Sequence, residues 1–88
     1  MYSVYILKSS KTNKHYIGHA ADLSNRIKRH NQGLVKSTKN GCPWKLIYQE
    51  NYSTKSEAYR RELKIKSYKG GVQFKQLIIS SGKSGEVA

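Results

Sequence analysis

Cysteine, acidic residues and long apolar runs are all scarce in this chain of 88 residues. The single cysteine, Cys42, excludes an intramolecular disulfide and any cysteine-rich zinc site, the usual staples of small secreted proteins, and a reducing compartment fits best. No stretch approaches the roughly 20 apolar residues of a membrane span, and no charged segment followed by a long apolar run opens the chain. A cytoplasmic protein without a membrane partner is expected. With only five acidic residues, a pair of metal ions clamped between carboxylates is hard to assemble. Any metal chemistry is therefore expected to use one ion whose shell water and substrate complete.

What the chain has in excess is positive charge. Lysine and arginine number 17, the formal net charge is +12 and the sequence pI is about 10.0. Such a field repels itself unless a polyanion neutralises it, and nucleic acid is the economical partner. A merely soluble basic surface and a membrane-surface binder are the alternatives, but the lysines are spread along the whole chain instead of forming one basic amphipathic helix. A single domain of this length has no room for a large internal cavity, so an active site must be a surface cleft.

Tyr2 to Leu7 is β-branched or aromatic and leads into the turn-rich Ser9 to Asn13, and His15 to His19 is again strand-like, which predicts an antiparallel hairpin with Tyr5 and Tyr16 near each other. From Asp22 the spacing turns helical, with Asp22 as N-cap, Gly33 as terminator and an apolar row of Leu23, Ile27 and Leu34. Trp44 to Tyr52 is a third strand, expected to set Leu46, Tyr48 and Glu50 on one face and Ile47, Gln49 and Asn51 on the other. Thr54-Lys55-Ser56-Glu57 fits a capping box that starts a second helix at about Lys55, which Gly70-Gly71 ends before a last amphipathic piece from Val72 to Ile79. The order β-β-α-β-α-α predicts an α+β domain over residues 2–79, a small three-stranded antiparallel sheet with flanking helices, and residues 80–88 read as a flexible tail.

On the first helix Arg26 and His30 share a row beside the apolar one; alone, such a pair reads as a solvated basic flank. On the second helix Glu62 lies between Ala58 and Ile65, so its carboxylate points toward the sheet, where an unpaired charge would be costly. Either it forms a salt bridge to a lysine or to Arg26, or it binds Mg²⁺, a hard cation that takes oxygen donors. The other acids have duties: Asp22 and Glu57 cap helices, Glu50 belongs to the third strand and Glu86 to the tail. Glu62 is the best metal-ligand candidate. Of the seven tyrosines, Tyr2, Tyr48, Tyr52, Tyr59 and Tyr68 are expected to pack the sheet and helices, while Tyr5 and Tyr16 are the pair suited to proton transfer.

Ser3-Val4-Tyr5, an eleven-residue step to Tyr16-Ile17-Gly18, then Asp22-Leu23, Arg26 and a later helical Glu62 together resemble the GIY-YIG nuclease superfamily. His30-Asn31, the Trp44 to Tyr48 strand, Ser56-Glu57-Ala58 and Arg61-Glu62 resemble its small stand-alone branch, related to the amino-terminal nuclease domain of the bacterial excision-repair subunit UvrC. Each motif is weak alone; the ordered set carries the specificity. The resemblance implies a metal-dependent endonuclease: Tyr5, Tyr16 or His30 deprotonates a water that attacks phosphorus in line, Arg26 contacts the scissile phosphate, and Glu62 binds one Mg²⁺ or Mn²⁺. His19, Lys28, Arg29, Lys36, Lys39, Arg61 and Lys66 are the expected nucleic-acid contacts, with DNA ahead of RNA, repair as the suggested process and a protein partner as the source of target specificity. Two departures stand out. The first triplet begins with Ser-Val instead of Gly-Ile, and His19 follows the second where lysine is common. The competing function is a non-catalytic nucleic-acid-binding module on the same fold.

Overall fold

The β-branched and aromatic runs form a sheet with Tyr5 on its central strand. β1 (Tyr2–Ser9) and β2 (His15–Ala20) make an antiparallel hairpin, and β3 (Trp44–Tyr52) pairs antiparallel with the other side of β1, giving the order β2-β1-β3. α1 (Leu23–Asn31), α2 (Lys55–Ser67) and α3 (Val72–Val87) complete the order β-β-α-β-α-α, with a short 3₁₀ turn at Lys39–Gly41. This computed structural model describes the backbone of residues 1–36 and 38–87, and the side chains of those residues up to 79. The α+β class, the three strands and the element order are those expected from the sequence. The tail expected at 80–88 lies outside the residues described in full.

β1 is buried along almost its whole length because helices cover both faces of the sheet. Val4 and Ile6 pack with Ala58 and Ile65 of α2 and Phe74 of α3, while Tyr5 and Leu7 pack on the opposite face with Trp44 and with Leu23 and Ile27 of α1. A central strand with two covered faces cannot alternate apolar and polar residues, which is why Tyr2 to Leu7 reads as an almost continuous apolar run. Each fully buried aliphatic side chain contributes about 1.5–3 kcal/mol. The register sets Val4 opposite both His19 and Glu50, and Tyr5 opposite both Gly18 and Gln49.

Local chemistry fixes the helix ends. The Asp22 carboxylate accepts the Asn25 amide at 3.1 Å, and Gly33 takes φ +74° just past α1, a left-handed turn that glycine adopts without a Cβ penalty. Thr54 caps α2 by accepting the Glu57 amide at 3.2 Å. The Glu57 carboxylate reaches back as a capping box does, but it accepts the Thr54 hydroxyl at 3.0 Å, not a backbone amide.

Three packing expectations are corrected. An irregularity between Ile6 and Leu7 inserts Ile47 as an extra residue in β3, so Leu46 joins the Tyr5 face while Tyr48 joins the Val4 face. The even alternation expected for Leu46, Tyr48 and Glu50 fails because a bulge resets the pleat. Leu34 lies beyond the end of α1 and is exposed, since the helix stops before reaching it. Tyr59, expected to pack, is half-exposed on α2.

Candidate active site

Tyr5 points from the central strand into the α1 side of the sheet and is buried. Its hydroxyl lies 3.0 Å from Nε2 of His30, which is fully buried on α1. The other imidazole nitrogen, Nδ1, is 2.7 Å from the hydroxyl of buried Thr38. That hydroxyl has a single proton, which it gives to the Val35 carbonyl at 3.3 Å. In the tautomer with the proton on Nδ1, Thr38 accepts from it and Nε2 keeps a lone pair that accepts the Tyr5 proton. Burial, then the Arg26 charge, lowers the His30 pKa below the ordinary imidazole value and keeps the ring neutral. The Thr38 loop is itself held, because its carbonyl accepts the Trp44 indole N–H at 2.8 Å.

Burial followed by repulsion from Tyr16 raises the Tyr5 pKa well above the usual phenol value, and the Glu62 charge adds to the rise. Arg26 works in the opposite direction, chiefly through its charge. Tyr5, Tyr16, Arg26 and Glu62 thus share one electrostatic environment. The Tyr16 ring sits 6.2 Å from that of Tyr5 and 4.9 Å from His30, centroid to centroid. Gly18, opposite Tyr5 in the register, makes room for this arrangement: a Cβ there would stand 2.7 Å from Tyr5 Oη and 3.1 Å from the Tyr16 ring. The glycine of the second triplet is thereby explained by sterics. Arg26 lines an open recess of about 210 Å³ with Ala20, Asp22, Asn25 and Arg29.

Glu62 comes from the other side of the sheet, on the α2 row packed over Val4 and Ile6. It is 7% exposed and not unpaired: Oε1 lies 2.6 Å from His19 Nδ1 and Oε2 accepts Lys66 Nζ at 2.6 Å. The salt-bridge alternative weighed from the sequence is thus present in this structure. Its donor set still fits one hard ion, because a Mg²⁺-type site needs only one or two carboxylates and keeps several waters. Lys66 is half-exposed at its side chain. Among the described residues no three His, Cys, Asp or Glu side chains stand together to cage a metal, so a multi-ligand protein site does not fit.

The expected nucleic-acid contacts divide. Lys28, Arg29, Lys36 and Lys39 are exposed. His19 is held between Glu62 and the Tyr59 ring, 5.7 Å away centroid to centroid, and Lys66 on Glu62. Arg61 is turned inward: its guanidinium donates to both Glu50 oxygens, at 2.9 Å each, which ties α2 to β3. Sequence reasoning missed Thr38, since a hydroxyl in a polar loop without periodicity carries no signal of a partner eight residues back. It also missed the position of Tyr59, although the i, i+3 spacing to Glu62 was available.

A family model described as the GIY-YIG catalytic domain matches residues 1–73, and the chain belongs to this family of nuclease domains. Its relatives include UPF0213 proteins of Staphylococcus aureus strains Mu3 and N315, each 48% identical over 66 residues, covering 74% of this chain and 79% of theirs. The solution NMR structure of the UPF0213 protein BH0048 from Bacillus halodurans is similar in fold, with a TM-score of 0.52 and 30% identity over 91% of this chain and 84% of that one. Among the described residues no helix is long and apolar enough to cross a membrane.

Proposed function

We propose that this chain is an endonuclease that hydrolyses a nucleic-acid phosphodiester, DNA in preference to RNA, with one Mg²⁺ or Mn²⁺ held by Glu62. Residues 2–79 are the working unit, the compartment is the cytoplasm, and a protein partner selects the target. The observation that carries this reading is the buried hydrogen bond from Tyr5 to neutral His30, set beside Arg26 and within reach of the Glu62 charge.

Phosphoryl transfer depends on positioning and on fixed positive charge where negative charge accumulates. Arg26 holds a phosphate oxygen in its recess. A water next to Tyr5 gives a proton to the phenol oxygen as the phenol gives its own to His30 Nε2; the water oxygen bonds to phosphorus and the opposite P–O bond breaks. The ring ends as imidazolium, its Nδ1–H still on Thr38, and the departing oxygen takes its proton from solvent. This relay needs no free phenolate, in keeping with the raised Tyr5 pKa. Tyr16 confines the water against Tyr5 and His30. A divalent ion on Glu62, when bound, supplies positive charge for the leaving oxygen.

A second reading is a non-catalytic nucleic-acid-binding module, and the engagement of both Glu62 oxygens by His19 and Lys66 favours it. Cleavage of single-stranded, duplex, flapped and branched DNA and the matching RNA, with Mg²⁺, Mn²⁺ or EDTA, separates the two. Metal-dependent cutting that falls at least about 100-fold in Arg26→Ala is the expected result. Salt-sensitive binding without cutting of any substrate would select the module.

A further inference from the structure

Beside the candidate centre, α2 carries a second feature that the chemistry above does not use. Lys55, Tyr59, Glu62 and Lys66 follow one another at steps of four, three and four residues, so they form one row along the helix. Near its middle, His19, Lys55, Ser56 and Tyr59 line an open cleft of about 530 Å³. Tyr59 is 49% exposed. Its ring is not loose: it packs against the His19 ring at 5.7 Å, and His19 is bonded to Glu62 at 2.6 Å. A half-exposed aromatic side chain thus stands at the surface beside the candidate metal carboxylate, with a lysine on either side along the row.

Resting on the nuclease reading for the nature of the ligand, we infer that this cleft is a base-stacking subsite: Tyr59 stacks on one unpaired base flanking the scissile phosphate, while Lys55 meets a phosphate further along the same strand. The occupant is a single strand, since a base paired in a duplex presents its flat face only to its neighbours. Stacking on an aromatic side chain tolerates any sequence because every base has a π-face, and Lys55, one helical turn before Tyr59, is placed to meet the backbone of the same strand. The net charge of +12 supplies the general attraction and the cleft supplies the preference for unpaired nucleotides. The substrate class that follows is a strand with an unpaired segment next to the cut: a flap, an overhang or a bulge.

The test is equilibrium binding of the full chain in EDTA, where no metal-dependent cutting intervenes, to a short single strand and to the duplex of the same sequence. Tyr59 is half-exposed, so its replacement leaves the core intact. Tyr59→Ala is expected to weaken single-strand binding about tenfold, with duplex affinity and the salt dependence of binding unchanged; Tyr59→Phe and Tyr59→Trp restore it. Lys55→Ala is expected to lower the salt slope by about one phosphate contact. Unchanged single-strand affinity in Tyr59→Ala, or equal losses on single strand and duplex, would overturn the inference. If that pattern holds but the wild type cuts nothing, the nuclease reading falls alone; if the wild type cuts and Tyr59→Ala binds normally, the subsite falls alone.

Discussion

Burial makes Tyr5 a poor phenolate, and in the proposed relay it serves as a conduit. Burial holds its proton, and the neutral Nε2 of His30 stands ready to take it. In the proposed relay the tautomer that leaves Nε2 free is set by Thr38, a side chain with no place in the family's triplets. Thr38→Val removes the acceptor for Nδ1–H and lets the ring reverse its tautomer. We expect cleavage to fall about 10- to 100-fold with the His30 ¹⁵N resonances reporting the exchanged proton, and Thr38→Ser to restore both. Wild-type ¹⁵N shifts in Thr38→Val would remove Thr38 from this role. The pH profile tests the same residue from another side. His30 must be neutral to accept, and burial and Arg26 lower its pKa. Activity is therefore held as pH falls through the ordinary imidazole value of 6.5 and is lost below it, through the lowered folded value. The unfolded chain takes up a proton on its ring before the folded one does, so stability also declines on acidification from about pH 6.5. An acid limb centred above 6.5 would contradict this account.

At the scale of elements, α2 joins the sheet through Arg61 on Glu50 of β3 and through Glu62 on His19 of β2. Glu50 on β3 accepts both Arg61 donors and the hydroxyls of Tyr48 and Tyr52. Burial by itself would raise the Glu50 pKa, but these donors outweigh it and the net shift is downward. Burial, and then the Glu50 carboxylate, pushes Tyr48 up to about 12. This cluster is a fastener that leaves the carboxylate little room for a metal. Glu50→Gln loses the charge that Arg61 is paired with, and since both side chains are partly exposed the loss is about 1–2 kcal/mol, seen as a lower urea midpoint at unchanged slope. No change would show that packing alone holds α2. The elements themselves were largely legible. Asp22, Gly33 and Thr54 mark helix ends through local hydrogen bonds and backbone sterics, which lie within a few residues of sequence. The β3 bulge was not, because the extra residue at Ile47 is dictated by pairing with β1, and nothing in an alternating run announces it.

The whole molecule is a basic domain with a polar centre distributed over both faces of a small sheet. Tyr5, Tyr16, Arg26 and His30 gather on the α1 side and Glu62 on the α2 side. Spacing along the hairpin and the two helices indicated which way each side chain points, but Arg26 and His30 alone read as a solvated flank, and only the resemblance grouped the five. The partners of Glu62 were not: Lys66 lies one helical turn away and could be foreseen, whereas His19 reaches it from 43 residues earlier in the chain. That pairing gives the His19 departure from the usual lysine a structural meaning, since an imidazole now stands between the carboxylate and the exposed Tyr59 ring.

The central claim is that one buried carboxylate, with one divalent ion, turns this basic domain into a nuclease. It is tested most directly by single-turnover cleavage of the best substrate in Mg²⁺ by wild type and Glu62→Gln, with melting curves to show that both are folded. We expect the wild type to cut, and the glutamine variant, folded and still binding nucleic acid, to cut at least about 100-fold more slowly. Equal rates from two folded proteins would contradict the account.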